Sequence, residues 1–523
     1  MSDNKLRWLG LGLVATAGAG VLALTAMMNP AFAHADTDDI GLVIGGSGTP
    51  IPGPEFVEAA NSLYLDNGPG GVPNNPDLTF FQATPDNPFG NGLFTPEGLY
   101  PLTGVHTLEL NFPAGSDGFP SETTSVGQGI SIVESAIAAN MAAGDTSTVF
   151  GYSQSATIAS LVMQQLDPSG TPENDPGLNF LLIGDPSNPN GGLLERFNGF
   201  ETTSGHTVTD PLSIPSLGVA FDGATPADDF STNIYSLEYD GFADFPRYPI
   251  NLLSDLNAFL GIDTIHGTYL NGGVDGSGPT AEQIASAILL PGSMDSGTAD
   301  SLTNYYIIDE TAPLVSLLPT KLQELLGPDL TFLINLGYGD GTLGYSVTAD
   351  SPANVPTPFG LFPDVSPSTI LSTLVTDTEQ GVQNLMSGTD PFSTAVDPAT
   401  SSATSMTDLL SATSWPDLMS ALSADAADPS ATLTDLVNAI STSASALYSV
   451  ALPTADIINA LVTSVPSYDA SLITDNLASG NLQDALGLPI AADAGLVTLA
   501  AGFEFSAIED AASQISDAFS GLF

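Results

Sequence analysis

A serine, an acid and a histidine in this chain are of the types that make and break esters through a covalent acyl-enzyme. The serine lies in Gly151-Tyr152-Ser153-Gln154-Ser155, the acid in Tyr239-Asp240-Gly241-Phe242-Ala243-Asp244-Phe245-Pro246, and the histidine in Ile265-His266-Gly267-Thr268-Tyr269. A serine hydroxyl attacks a carbonyl only when a base takes its proton, and the base needs an acid to orient it. Ser153 sits where an apolar run, 146–150, gives way to a helix-like run, 156–166. That is the strand–turn–helix setting of a nucleophile elbow, in which a sharp turn presents the hydroxyl at the edge of a sheet. Strand and helix backbones nearly touch there, so the positions two before and two after the serine must be small. Gly151 meets that need, and Ser155 stands where a second glycine is usual.

Chain order narrows the partners. Where the serine sits on such a nucleophile elbow, the chain order runs serine, acid, histidine. His34 and His106 precede Ser153, and His206 follows it in a Thr-Ser-Gly loop with no acid clearly placed after a strand in between. His266 is the base that fits. The acid belongs just beyond a strand expected at 233–239. Asp240 ends that strand and would equally serve the turn at Gly241. Asp244 follows the glycine turn and precedes Phe-Pro, and it is the favoured acid, with Asp240 as the alternative. The oxyanion of an acyl-transfer intermediate needs main-chain N–H donors. Gln154, next to the nucleophile, offers one, and the loop Gly45-Gly46-Ser47-Gly48-Thr49-Pro50 offers another through Gly46, Ser47 or Gly48. No lysine follows that loop as a phosphate cradle requires, and no His/Cys cluster has metal-ligand spacing, so neither cofactor nor metal is expected.

The elements that must hold these residues are read from hydropathy patterning. Strands are expected at 40–44, 106–112, 146–150, 178–183, 233–239 and 331–336, and helices at 55–64, 126–140, 154–166 and 251–260. Strands alternating with helices predict an α/β fold, a mostly parallel sheet covered on both faces. Past residue 363 the composition turns to Ala, Ser, Thr, Asp and Leu without Lys or Arg. A unit recurs there, Asp408-Leu409-Leu410-Ser411-Ala412, Asp417-Leu418-Met419-Ser420-Ala421, Asp435-Leu436-Val437-Asn438-Ala439 and Asp456-Ile457-Ile458-Asn459-Ala460. Each Asp suits a helix N-terminus, so residues 364–523 read as short helices split by Pro429, Pro453 and Pro466, or as a low-complexity spacer. Their partner is left open.

Charge excludes whole classes of function. Against 59 acidic residues stand five Lys plus Arg, a net charge of −54. Such a chain neither neutralises phosphates nor adsorbs to anionic lipid, which rules out nucleic-acid binding. Only 12% of residues are charged and 42% are hydrophobic, which sets it apart from disordered acidic proteins. Residues 1–35 read as an export signal: Lys5 and Arg7, an apolar stretch from 8 to 28, then Ala31-Phe32-Ala33 as a cleavage site, or a membrane anchor if uncleaved. No later stretch reads as a membrane span, and the absence of cysteine means no disulfides. A secreted or cell-envelope protein is expected.

These segments together resemble the mycobacterial PE-PPE domain, a serine α/β-hydrolase related to cutinases and lipases. The glycine loop at 45–50 and the elbow at 151–156 carry the resemblance, with Gly184-Asp185-Pro186, Pro189-Asn190-Gly191-Gly192 and Asp222-Gly223-Ala224-Thr225-Pro226. So do the segment 239–246, His266-Gly267-Thr268-Tyr269 and Leu336-Gly337-Tyr338-Gly339. The resemblance covers roughly 40–345, giving a hydrolase domain at 36–363; a signal sequence stands in place of a PE or PPE helical module. It implies an esterase or lipase acting on acyl esters, with the nucleophile on Ser153, the base on His266 and the acid within 240–244. Some members are similar to acyltransferases that build trehalose glycolipids of the cell envelope, so transfer of the acyl group to a sugar hydroxyl is the alternative to hydrolysis. A reading of another class is an inactive hydrolase fold serving as a surface interaction protein.

Overall fold

The computed structural model describes residues 38–66, 78–98, 100, 108–168, 177–197, 213–274, 277–298, 301–387 and 429–520. The export segment, His34, His106 and His206, and the repeat units at 408–412 and 417–421 lie outside the described residues.

Among the described residues seven strands form one sheet in the order β2-β1-β3-β4-β7-β9-β8. They are β1 (Asp39–Val43), β2 (Leu78–Phe80), β3 (Thr146–Tyr152), β4 (Leu178–Ile183), β7 (Ser231–Leu237), β8 (Ile288–Leu289) and β9 (Thr303–Ile308). Every pairing is parallel except that of β8 with β9. A small antiparallel pair, β5 (Ser213–Ile214) and β6 (Val219–Ala220), stands apart. The strands are apolar on both faces, and alternate residues divide between two cores. Leu42, Val149, Phe180, Leu182, Ile234, Tyr305 and Ile307 join one. Val43, Phe150, Leu181, Ile183, Tyr235, Tyr306 and Ile308 join the other. Each such side chain, fully buried, stabilises the fold by about 1.5–3 kcal/mol.

The helices α1 (Pro54–Ala60), α2 (Ser125–Ala143), α3 (Gln154–Leu166), α4 (Leu193–Arg196), α5 (Leu252–Thr264), α6 (Ala281–Ala285), α7 (Pro313–Ser316), α8 (Thr320–Asn335) and α9 (Pro367–Ser387) surround the sheet. Thr124 caps α2, its hydroxyl accepting from the Gly127 N–H at 3.1 Å. Two expected strands are absent among the described residues. Residues 331–335 are the end of α8 and Leu336 is its C-cap, because Leu322, Leu326, Leu330 and Leu333 extend a helical period that outweighs the local β-propensity. Residues 108–112 form no strand: the Glu109 and Leu110 carbonyls accept from Ser125 and Val126 at the start of α2, and the Asn111 and Phe112 N–H groups donate to Gly218. Of the strands not expected, β2, β5, β6, β8 and β9, the longest is β9, six buried residues in a row beside β7.

Three long helices end the chain, α10 (Pro429–Val462), α11 (Ser464–Ala478) and α12 (Leu482–Ser520). Pro453 does not split α10, contrary to expectation. Proline removes one helical hydrogen bond, and packing on both sides carries the helix past it. By length and composition, Ser441–Ala478 and Leu482–Ala518 are apolar enough to cross a membrane, correcting the reading that no later stretch is. Part of that apolar surface covers the α/β body. Gly487, Gly495 and Gly502, at spacings that keep one face of α12, approach so closely that a Cβ there would meet Leu361 at 2.4 Å, Phe359 at 2.9 Å and Phe259 at 3.1 Å. Phe259 of α5 stacks edge-on against Phe505, and the Tyr468 hydroxyl donates to the Phe197 carbonyl at 3.1 Å.

Candidate active site

The site lies at the carboxyl ends of the central parallel strands, where open α/β sheets bind ligands. β3 runs into Ser153, whose φ of 58° and ψ of −118° place a non-glycine residue in strained backbone just before α3. The tightness of the elbow is measurable. A Cβ on Gly151 would come within 2.8 Å of the Ser155 carbonyl oxygen. Ser155 is more than a small residue, since its hydroxyl accepts from the Tyr152 N–H at 2.8 Å and faces the Ile44 carbonyl at 3.2 Å. The turn is thus tied to the end of β1.

His266 opens a short 3-10 turn, His266–Thr268, that follows α5. Its Nε2 is 2.7 Å from Ser153 Oγ, and its Nδ1 is 2.8 Å from Oδ2 and 3.0 Å from Oδ1 of Asp240. With a carboxylate at Nδ1 the ring proton belongs there, leaving Nε2 to accept from the serine hydroxyl. Phe242 packs edge-on against the imidazole, with ring centroids 4.7 Å apart. Asp240 is wholly buried, and its Oδ1 also accepts from the Phe242 N–H at 3.0 Å.

The acid favoured from the sequence, Asp244, is not the one at the histidine. Its Oδ2 accepts from the Tyr239 N–H at 3.1 Å, and its side chain lines an internal cavity with Asn188, Ser236 and Tyr305. Burial pushes its carboxyl well above the ordinary value. The reason is the turn. Tyr239 takes φ of 66°, and Gly241 fits so closely under α5 that a Cβ would lie 2.2 Å from the Ala258 carbonyl oxygen. Asp240 is thereby delivered to His266, and Asp244 follows one helical turn later, its N–H bonded back to the Asp240 carbonyl.

The glycine loop after β1 adjoins the nucleophile at Gly46, where a Cβ would stand 3.3 Å from that of Ser153. Gly48 drops out as an oxyanion donor, because its N–H donates to the Glu97 carbonyl at 3.0 Å. Gly46, Ser47 and Gln154 stay grouped around the serine. The Gln154 N–H opens α3 and so has no helical acceptor. Its side chain, nearly buried, holds the loop: Oε1 accepts from Ser47 Oγ at 3.1 Å, and Nε2 donates to Ser125 Oγ at 2.7 Å and to the Gly98 carbonyl at 3.1 Å. Glu97 itself is buried with φ of 50°, bonded to the Thr95 hydroxyl, and burial pushes its carboxyl up to about 8.

Two groups around the triad are not singled out from the sequence, the hydroxyls of Tyr152 and Tyr269. Tyr152 donates to the His266 carbonyl, and Tyr269 donates to Oδ2 of Asp240 at 2.8 Å. Their adjacency to Ser153 and their spacing from His266 are the signals by which they could be found. Among the described residues no group of three or more His, Cys, Asp or Glu could hold a metal ion. The arrangement can deprotonate a serine hydroxyl and hold the resulting imidazolium against a buried carboxylate.

The PE-PPE domain model matches residues 89–339. An uncharacterized PPE family protein, PPE28 of Mycobacterium tuberculosis, is 40% identical over 92% of this chain and 67% of its own length. That match takes in most of the C-terminal helical region. Esterase PE16 of the same organism is 37% identical over 62% of this chain and 51% of its own, and PE family protein PE3 is 34% identical over 65% and 62%. The chain thus spans between half and two thirds of these relatives. No solved structure matches it.

Proposed function

The chain belongs to the PE-PPE domain family, and for this member we propose an exported serine esterase or lipase that works through an acyl-enzyme on Ser153. The observation that carries this reading is the continuous chain of contacts from Ser153 Oγ through His266 to Asp240, 2.7 Å and 2.8 Å long, at a strained elbow. The 37% identity to a protein named as an esterase supports the same class.

In this reading His266 Nε2 takes the Ser153 proton as Oγ attacks the acyl carbonyl, and Asp240 holds the ring and stabilises the imidazolium. The N–H of Gln154 and that of Gly46 or Ser47 receive the oxyanion. The imidazolium then protonates the leaving alcohol, water enters, and the same cycle releases the acid. The substrate is an acyl ester or glycolipid of the cell envelope, reached through export by residues 1–35, and the long terminal helices serve first as a cover for the α/β body.

The test is hydrolysis of p-nitrophenyl esters, acetate to laurate, by the mature protein and by Ser153→Ala. Wild type should turn over and Ser153→Ala should not; equal rates would overturn the serine mechanism. Adding a sugar alcohol as acceptor reads out transfer directly, and formation of an acylated sugar in preference to free acid would replace hydrolysis by transacylation.

A further inference from the structure

We propose that Tyr269 and Tyr152 are positioning residues of the triad, Tyr269 fixing the Asp240 carboxylate through its hydroxyl and Tyr152 fixing the main chain of His266. The inference rests on the serine-hydrolase reading above.

Tyr269 has one direction in which to donate. Its oxygen already accepts from the Leu237 N–H at 2.9 Å, so its own O–H points to Oδ2 of Asp240, at 2.8 Å. That Oδ2 is the atom closest to His266 Nδ1. The carboxylate is therefore held at both ends by groups outside the triad, the Phe242 N–H on Oδ1 and the Tyr269 hydroxyl on Oδ2. Tyr269 is itself immobilised. The Tyr64 hydroxyl donates to its carbonyl at 3.0 Å, its ring is fully buried, and Gly184 leaves no room beside it, since a Cβ there would lie 3.0 Å from the Tyr269 ring and 3.1 Å from that of His266. Burial and the neighbouring Asp240 push the phenol well above its ordinary value, so the donor keeps its proton.

Tyr152 couples the other two members. Its N–H closes the elbow on Ser155 Oγ, and its hydroxyl donates to the His266 carbonyl. Its ring lies 5.6 Å from the imidazole and 5.7 Å from Tyr269, centroid to centroid. The strand that carries the nucleophile is thus bonded directly to the turn that carries the base. A shift of one relative to the other would lengthen the Ser153–His266 contact, and misplacement on that scale is costly for catalysis.

The experiment uses Tyr269→Phe and Tyr152→Phe, which keep the rings and remove only the hydroxyls, with kcat normalised to sites titrated by a fluorophosphonate. Losing a hydrogen bond to a charged group should lower kcat about tenfold or more in Tyr269→Phe, with KM near wild type. In an Asp240→Asn background the same substitution should cost nothing further, because its effect runs through that carboxylate. A wild-type kcat in Tyr269→Phe, or losses that simply multiply in the double variant, would overturn the assignment of Tyr269. If Tyr269→Phe does not fold, Tyr152→Phe carries the test: a severalfold loss of kcat per titrated site supports the proposal and an unchanged kcat overturns it. Ser153→Ala separates the two levels, since retention of hydrolysis there sinks the underlying mechanism and its loss leaves the tyrosine result to stand alone.

Discussion

His266 Nδ1 faces Asp240, with Oδ2 at 2.8 Å and Oδ1 at 3.0 Å, while Asp244 is bonded to the Tyr239 N–H at 3.1 Å. The two acids are four residues apart and have different work. Asp240→Asn should lower kcat by about 10⁴-fold, because an amide cannot hold the ring in the needed tautomer. Asp244→Asn keeps an acceptor for Tyr239 and should stay within a few-fold of wild type. Steady-state rates on a short p-nitrophenyl ester decide this, and the reverse order of losses would move the triad to Asp244.

Gln154 joins three segments through one amide, the glycine loop at Ser47, Gly98, and Ser125 at the start of α2. Gln154→Leu keeps the main-chain N–H and releases the loop. It should lower kcat by about 10- to 100-fold, as expected when an oxyanion donor is displaced, with KM little changed. The same kcat per titrated site in wild type and variant would show that the loop holds its place without the amide.

Burial pushes up a set of carboxyls, Glu97, Glu195, Asp255 and Glu310 to about 8 and Asp222 and Glu238 to about 7. Ordinary carboxyls titrate near ~4, so between these limits the folded chain binds more protons than the unfolded one. Their contribution to stability is complete below the ordinary range and is lost as pH rises through the folded values. Melting temperature should therefore fall between about pH 5 and pH 8, and Glu97→Gln should flatten the slope. A melting temperature that rises across that window would contradict the protonated carboxyls.

The net charge of −54 sets a further expectation. Self-repulsion at that level is screened within ~10 Å at 0.1 M salt. Melting temperature should climb from low salt to 0.5 M sodium chloride, read by circular dichroism. A flat curve would mean that the acids are spaced widely enough, or protonated enough, to be neutral in effect.

The features legible from the residues alone are local. A small residue two before Ser153, an apolar run behind it and a helical run ahead are enough to specify the elbow, since each acts within a few residues of the next. The alternation of strands and helices likewise specifies an α/β fold, because burial on both faces leaves continuous apolar strands. The acid was decided only in three dimensions. It depends on Tyr239 adopting a left-handed φ of 66° and on Gly241 closing against α5, and tyrosine gives no warning of that conformation. Gly48 is withdrawn from the oxyanion loop by Glu97, a partner 49 positions away in the chain. The same holds for α10 running through Pro453, where packing against α12 outweighs local preference. Tertiary structure chose among groups that the sequence had already gathered, because which of two neighbouring carboxylates meets an imidazole is set by the path of the backbone and not by the identity of the residues.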